Sequence, residues 1–375
     1  MQNAYLVMAT PPVDLDTKPQ QYDMVVFCHL RWDFVYQRPQ HIISRMARTQ
    51  KVLLIEEPIR WEADTSPTGR LRVISENLHV LQPQVDSIDA IREILPQFVA
   101  NTQVATGWFY SAAFVSLLDA FEFATVVYDC MDELTLFRHA PEQLIAQETL
   151  LLSNADVVFT GGKSLYESKR VRHYNVHCFP SSVDREHFGK SLNGISVPED
   201  VAGISGPIVG YFGVIDERID LELLRQTALL QPDVSFVMIG PLAKIEDHDL
   251  PRRDNIYYLG MKPYEQLPNY LKAFSIAMMP FALNEATRFI SPTKTLEYMA
   301  AGRPIISTAV TDVVRDYSGC VAIIESAAEF ADVIGVLLAE SATQEPLTVY
   351  ESILDQTSWD RTVNRMQSII SIAHS

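Results

Sequence analysis

The sequence predicts an α/β protein built from two doubly wound, Rossmann-like domains. Three observations carry that expectation. Short apolar runs of buried-strand type alternate with helical stretches along most of the chain, as in parallel sheets covered on both faces. At 375 residues the chain exceeds one ordinary core. A stretch rich in Gly, Ser and Pro, residues 189–206, lacks periodic pattern and separates two such series. The predicted units are residues 1–190 and 205–350, with 351–375 as a closing helix.

Composition narrows the function. Hydrophobic residues make up 47% and charged residues 21%, a globular balance. The net charge of −17, from 30 Lys and Arg against 47 Asp and Glu, argues against general nucleic-acid binding. It equally opposes broad attachment to anionic lipid and leaves room only for a local basic patch. Cys28, Cys130, Cys178 and Cys320 are far apart and show no metal-ligand spacing, so reduced buried thiols and a cytoplasmic protein are expected. Residues 1–21 lack a basic region followed by an apolar core, so no secretory signal is expected. No apolar run reaches the length of a membrane span.

Each element follows in order. After a loose lead over residues 1–21, Met24–Cys28 reads as a strand. It runs into a dense polar and aromatic loop, His29 to His41, and then a helix with Ile42, Ile43, Met46 and Ala47 on its apolar face. Further strands are expected at 51–56, 78–81, 103–108, 125–128, 155–160 and 176–180. Ligands of such sheets bind at the carboxyl ends of strands. His29, Arg31, Trp32 and Arg38 are therefore candidates for ligand contact, unless the loop packs on its own domain. Asp129, Asp132 and Glu133 follow another strand; they can serve as acid/base groups, as metal ligands or as turn caps. Gly161-Gly162-Lys163-Ser164 reads as a tight turn into a helix, without the spacing of a phosphate loop or a dinucleotide fingerprint. In the second half, strands are expected at 208–213, 234–240, 255–260, 274–281 and 305–307. The first ends in Gly213, with Arg218 shortly beyond; Arg218 binds an anion or pairs with Asp216 or Asp220. Residues 263–273 and 358–366 read as helical.

The stretch Pro280 to Thr308 is the most specific. A polar loop follows an apolar strand, and Ser291-Pro292 reads as N-cap and first turn of a helix closed by Gly302 and Pro304. A helix N-terminus favours an anion, Lys294 adds a charge, and Glu297 lies one turn on. The same residues also describe a capped surface helix bearing a Lys–Glu pair.

Pro292-Thr293-Lys294-x-x-Glu297-Tyr298-x-Ala300-x-Gly302-x-Pro304 resembles the donor-binding segment of GT-B glycosyltransferases, in the large retaining family of group 1. Ser181-Ser182-Val183-Asp184 with Phe188 resembles the segment by which such chains leave the first domain, with the Ser pair replacing Asn-Gly. The resemblance implies two domains facing a cleft and a last helix that crosses back to the first domain. It implies a nucleotide diphosphate sugar as donor, UDP-linked by family weight, with a hexose moved to a saccharide or lipid-linked acceptor in bacterial polysaccharide assembly. Transfer would retain configuration without a covalent enzyme residue and without a metal or other cofactor. Glu297 would hold the ribose, and Gly213, Arg218, Ser291, Thr293 and Lys294 would surround the diphosphate. Asp132 or His29 would serve the reacting centre, with Arg31, Trp32, Arg38 and Asp129 on the acceptor side. Two departures stand out: Phe289 occupies the position of a second Glu, and Arg218 alone replaces an Arg-and-Lys pair. Work at the inner face of the membrane fits the same family. Two alternatives remain, a nucleotide-sugar epimerase of this fold and a GT-B binding subunit with weakened catalysis.

Overall fold

A computed structural model describes residues 18–59, 66–138, 140–341 and 349–373. Most of the lead expected over residues 1–21 thus lies outside the described residues. The first domain holds eight strands: β1 (Met24–Cys28), β2 (Val52–Glu56), β3 (Thr68–Ser75), β4 (Leu78–Gln84), β5 (Gln103–Phe109), β6 (Glu122–Cys130), β7 (Val157–Thr160) and β8 (Val176–Cys178). Their order in the sheet is β3-β4-β2-β1-β5-β6-β7-β8, parallel except for the antiparallel β3 edge. The second domain holds β9 (Ile208–Phe212), β10 (Ser235–Ile239), β11 (Ile256–Tyr258), β12 (Ile276–Met279), β13 (Ile305–Thr308) and β14 (Ala322–Ile324). Their order is β11-β10-β9-β12-β13-β14, and every pairing is parallel.

The strand sequences explain this burial. β1 reads Met-Val-Val-Phe-Cys, apolar at every position, because side chains alternate between two covered faces. Val25 and Phe27 enter one core with Leu53, Ile55 and Phe109. Met24, Val26 and Cys28 enter the other, which the helix Arg38–Met46 covers with Ile42, Ile43 and Met46. The helix Trp359–Ala373 completes that second core through Trp359, Val363 and Met366. The last helix therefore crosses back to the first domain. The sheet order reverses at β1, between β2 and β5, and at β9, between β10 and β12. The loops leaving these central strands are where ligands of open sheets bind.

The structure revises three expectations. Residues 189–206 do not form a free linker. Val183, Phe188 and Val201 are buried in the second-domain core, and the chain leaves the first core between Phe179 and Val183. β3 and β14 were not expected. β3 is a partly exposed edge strand with arginines among its apolar residues, and β14 is an edge strand of only three residues. The helix expected from Ser291 begins at Lys294, after Thr293 in right-handed helical geometry, and has no side-chain cap.

The two domains meet through their carboxyl ends. Ser181 Oγ lies 2.9 Å from Thr293 Oγ1. The buried Asp312 carboxylate accepts from the Ser164 amide at 3.2 Å and from its hydroxyl, while Arg315 pairs with Glu167 at 3.1 Å. Phe289 packs against the first-domain core. Gly162 is required by close approach: a Cβ there would lie 2.6 Å from Asp312 Oδ2 and 2.7 Å from Ser291 Cβ. The Gly-Gly-Lys-Ser turn is thus a docking point for the second domain.

Trp359 is buried and stacks on His41, with ring centroids 4.6 Å apart. Trp359→Ala should cost about 3–5 kcal/mol in chemical denaturation, the range for truncating a large buried aromatic. A loss below about 1 kcal/mol would show that the last helix does not share the first-domain core.

Candidate active site

The second-domain side of the site starts at Gly213, where β9 ends. Its φ of +140° lies where L side chains are strained, and a Cβ there would run into Lys294 Cε. The glycine thus lets the Lys294 side chain cross the strand end, with Nζ 5.6 Å from the centre of the Tyr211 ring. Arg218 is held by Asp216: Nε lies 3.0 Å from both carboxylate oxygens and Nη2 lies 2.7 Å from Oδ2. The pairing with Asp216 is therefore real, and it aims Arg218 into a cavity rather than onto open surface. Glu297 is buried one turn beyond Lys294 and makes no hydrogen bond through its carboxylate among the described residues. Burial pushes its carboxyl up to about 7, against the pull of Lys294. Burial likewise pushes the Lys294 ammonium down, with Glu297 opposing.

On the first-domain side the predicted residues divide by role. The buried Arg38 guanidinium clamps Asp129, with Nη2 2.8 Å and Nε 3.1 Å from Oδ1, and donates to the Phe179 carbonyl at 2.7 Å. Asp129 is fully buried inside β6, while Arg38, though clamped to it, also borders the cavity between the domains. Arg31 donates to Glu56 Oε2 at 3.2 Å and to the carbonyls of Glu57 and Pro58. The Trp32 amide donates to Glu56 Oε1 at 2.7 Å, and Gln40 Nε2 donates to the Trp32 carbonyl at 2.9 Å. Arg31, Arg38 and Asp129 thus have scaffold partners within the first domain, and Trp32 is held there through its backbone. A loop after a central strand must satisfy its own polar groups before it can present any to a ligand.

Asp132 differs. It does not pair with Arg31. It lines a cavity of about 100 Å³ between the domains, together with Arg38, Ser181, Arg218, Ser291 and Lys294. Thr293 lines the same cavity. Burial pushes the Asp132 carboxyl up, and Arg218 is the main opposing charge. His29 does not reach this cavity. It lines a larger cleft of about 690 Å³ with Glu57, Asp89, Phe137, Leu144 and Lys244. Its Nδ1 is buried without a partner among the described residues, and burial, then Lys244, lowers its pKa to about 4. His29 is therefore neutral at pH 7.

Phe137 and Lys244 escape a reading of the sequence. The Phe137 ring stands between cavity and cleft, with the Arg218 guanidinium 5.6 Å and Lys244 Nζ 4.5 Å from its centre. Phe137 lies in an irregular segment without period, and Lys244 has φ +62°, a left-handed geometry that its residue type does not announce. Tyr264 also goes unmarked. Its ring stacks on Tyr36 of the first domain at 4.5 Å and on His187 at 4.2 Å. Its hydroxyl is buried without a partner among the described residues.

Chemically, the cavity offers Arg218 and Lys294 from the second domain, facing Asp132 and the clamped Arg38 of the first. Such an arrangement suits an anionic leaving group, with a proton acceptor on the opposite wall. Among the described residues no group of three or more His, Cys, Asp or Glu is placed to hold a metal ion.

Comparisons follow the same lines. Residues 206–340 match the family model described as glycosyl transferases group 1. The chain is 25% identical over 247 residues to TuaH of Bacillus subtilis (strain 168), which is named for glycosyl transfer in teichuronic acid biosynthesis. That match covers 61% of this chain and 60% of the relative's length. Among solved structures, a sucrose-phosphate synthase from Thermosynechococcus elongatus superimposes with a TM-score of 0.67 at 15% identity, over 93% of this chain and 98% of that one. The Anabaena protein HepE, solved with UDP and glucose, gives 0.64 at 12% identity over 94% and 100%. The E. coli trehalose-6-phosphate protein bound with UDP-2-fluoro glucose gives 0.64 at 10% identity over 94% and 99%.

Glu297 supplies a test of the electrostatics. Its folded-state pKa is raised above the ordinary carboxylate value, so the folded protein holds a proton that the unfolded chain has lost. Its contribution to stability is thus fully present below pH 4.5 and lost as pH rises through about 7. Glu297→Gln should flatten the fall in stability between those limits. Denaturation curves of both proteins at pH 5 and pH 8 check this, and an unchanged difference would place the carboxylate in water.

Proposed function

We propose that this protein of GT-B fold, matched over residues 206–340 to glycosyl transferases of group 1, moves a hexose-type sugar from a nucleotide diphosphate sugar to a saccharide or lipid-linked acceptor. The observation that carries the reading is the convergence of Lys294 and Arg218 from the second domain on a cavity whose far wall is Asp132 of the first. We read the donor as UDP-linked, because HepE and the trehalose-6-phosphate protein were solved with uridine nucleotides. Synthesis of a bacterial glycan is read from the name of the B. subtilis relative.

In this reading the bond between the anomeric carbon and the diphosphate oxygen breaks, and the electron pair leaves with the diphosphate. Lys294 and Arg218 stabilise that charge in a site where water is scarce, so their attraction is worth more than in bulk solvent. A new bond forms from the anomeric carbon to an acceptor hydroxyl on the side of the large cleft. Asp132 orients that hydroxyl or takes its proton; its raised pKa makes it a better base than an exposed carboxylate. Glu297 accepts hydrogen bonds from the ribose hydroxyls. Configuration is retained, and no residue forms a covalent intermediate. His29, neutral and facing the cleft beside Phe137, contacts the acceptor or the transferred sugar.

A cavity of about 100 Å³ is small beside ordinary ligand pockets of roughly 300–1,000 Å³. The domains must part to admit the donor and close again for transfer. The natural pivots are the crossing between Phe179 and Val183 and the return before Trp359.

A second reading rests on Phe289. Where relatives often carry a second Glu, this chain has an aromatic ring packed against the first domain, with the Arg288 guanidinium 5.2 Å from its centre. That favours a nucleotide-binding module with weakened turnover.

Calorimetry and turnover separate these readings. UDP should bind, and Lys294→Ala or Glu297→Ala should weaken it by about 1.5–3 kcal/mol, the scale of hydrogen bonds to charged groups. Asp132→Asn should leave UDP affinity within about twofold and lower hydrolysis of a UDP-hexose about a hundredfold or more, the lower range for loss of a general base. Absence of UDP binding would sink the donor assignment. Binding without turnover in the parent protein would favour the module.

A further inference from the structure

We propose that the large cleft selects an acceptor sugar whose ring carries no anionic group, and that Glu57, Asp86 and Asp89 read that ring through its hydroxyls. The occupant's role as acceptor rests on the transfer reading; the cleft's discrimination does not.

The cleft is built at the carboxyl ends of strands that are neighbours in the first sheet, β4, β2, β1 and β5. Asp86 and Asp89 follow β4, Glu57 follows β2, His29 follows β1 and Ser111 follows β5, and each of them lines the cleft. Loops leaving adjacent strand ends converge on one mouth, where open parallel sheets take ligands. At about 690 Å³ the cleft falls within the roughly 300–1,000 Å³ of ordinary ligand sites.

Its charged groups are unequally engaged. Glu57 is half-buried, and Arg31 takes its backbone carbonyl rather than its carboxylate. Burial pushes the Glu57 carboxyl up, with the Arg31 charge opposing. Asp86 and Asp89 stand exposed on the same lining. Arg92 takes the Asp89 carbonyl at 3.2 Å, and its guanidinium pairs with Asp119 at 3.1 Å. Among the described residues, none of the carboxylates of Glu57, Asp86 and Asp89 has a hydrogen-bond or ion-pair partner. The neutral His29 adds a buried Nδ1 in the same condition. The cations of the cleft, by contrast, are occupied. Arg138 Nε lies 3.5 Å and Lys244 Nζ 4.0 Å from the shared Glu217 carboxylate, and Lys244 also sits over the Phe137 ring at 4.5 Å.

Such a lining selects hydroxyl donors. An ionised carboxylate only accepts hydrogen bonds, and each can take more than one. A sugar ring supplies O–H donors around its whole edge, so unpaired carboxylates and a neutral imidazole suit it. A carboxylate or phosphate on that ring would instead meet like charges from Glu57, Asp86 and Asp89, in a molecule of net charge −17. Ile88, Leu134, Pro141 and Leu144 line the same cleft and give the C–H faces of a ring an apolar surface to cover.

The test is titration of the full chain, with UDP present and at low salt, followed by saturation-transfer NMR of probes that differ only at C6: methyl glucoside, methyl glucuronide and methyl glucoside 6-phosphate. The neutral glucoside should bind about tenfold or more tightly than either anion, a modest cost for facing like charges. Added salt should narrow that ratio, because repulsion between exposed charges is screened. The double variant Asp86→Asn, Asp89→Asn should bring the glucuronide within about threefold of the glucoside, while the thermal midpoint and UDP affinity stay unchanged. A parent protein that does not bind the glucoside, or binds the glucuronide equally well, overturns the proposal. A preference for either anion overturns it as well, and assigns the cleft to acceptors gripped by Lys244 and Arg138. A ratio unmoved in the double variant removes Asp86 and Asp89 from recognition and overturns it too. Failure of UDP to bind the parent protein in the same samples would strike the donor reading, not the cleft's discrimination among the probes.

Discussion

The buried clamp between Arg38 and Asp129 is the interaction on which the first domain's half of the site depends. Burying two charges is costly, and the cost is offset only when both are fully hydrogen-bonded. Here Asp129 receives the guanidinium bidentately, and Arg38 Nη1 donates to the Phe179 carbonyl. Three chain segments thereby meet at one point: the helix after β1, the end of β6 and the exit from β8. Asp132 lies three residues beyond Asp129, so the clamp fixes the strand end from which it projects. Removing either partner alone would strand a charge inside the sheet, a larger penalty than the pair's net worth.

A second buried network supports the same loop from below. Lys169, without solvent contact, donates to both oxygens of Glu133 at 2.9 and 2.7 Å and to Glu148. Glu133 directly follows Asp132, so the Asp132 side chain is presented by a segment anchored at both ends. The second domain answers with a different device. There, absence of a side chain at Gly213 lets Lys294 cross, and absence of one at Gly162 lets the domains touch. Charge holds one wall of the cavity, and vacant space shapes the other.

Much of this was legible in the sequence, for physical reasons. Strands buried on both faces are largely apolar runs, so β1, β2, β9, β10, β12 and β13 announced themselves, and β3 did not. Lys294 and Glu297 were legible because they sit in a string of fixed spacing on one helix. Arg218 was legible as a basic residue after a Gly-ended strand, and its pairing with Asp216 was open from the start. The roles of Arg31, Arg38 and Asp129 were not legible. Whether a polar residue after a strand faces ligand or core depends on partners 25 to 141 positions away. Residues 189–206 misled because Gly, Ser and Pro also suit short helices and turns fastened to a core, here by Val201 and, just upstream, by Phe188.

The crossing helix has a consequence for how the protein is made. Trp359, Val363 and Met366 fill a core whose other members come from β1, β2, β4 to β7 and the helix Arg38–Met46, among others. On a ribosome the first domain emerges long before those three side chains exist. At about 5–20 residues per second, its outer face must wait many seconds for its covering. During that interval Ile42, Met46 and their neighbours are open to water, or to a chaperone. The first sheet is thus translated first and finished last, and its completion is tied to successful synthesis of the entire second domain.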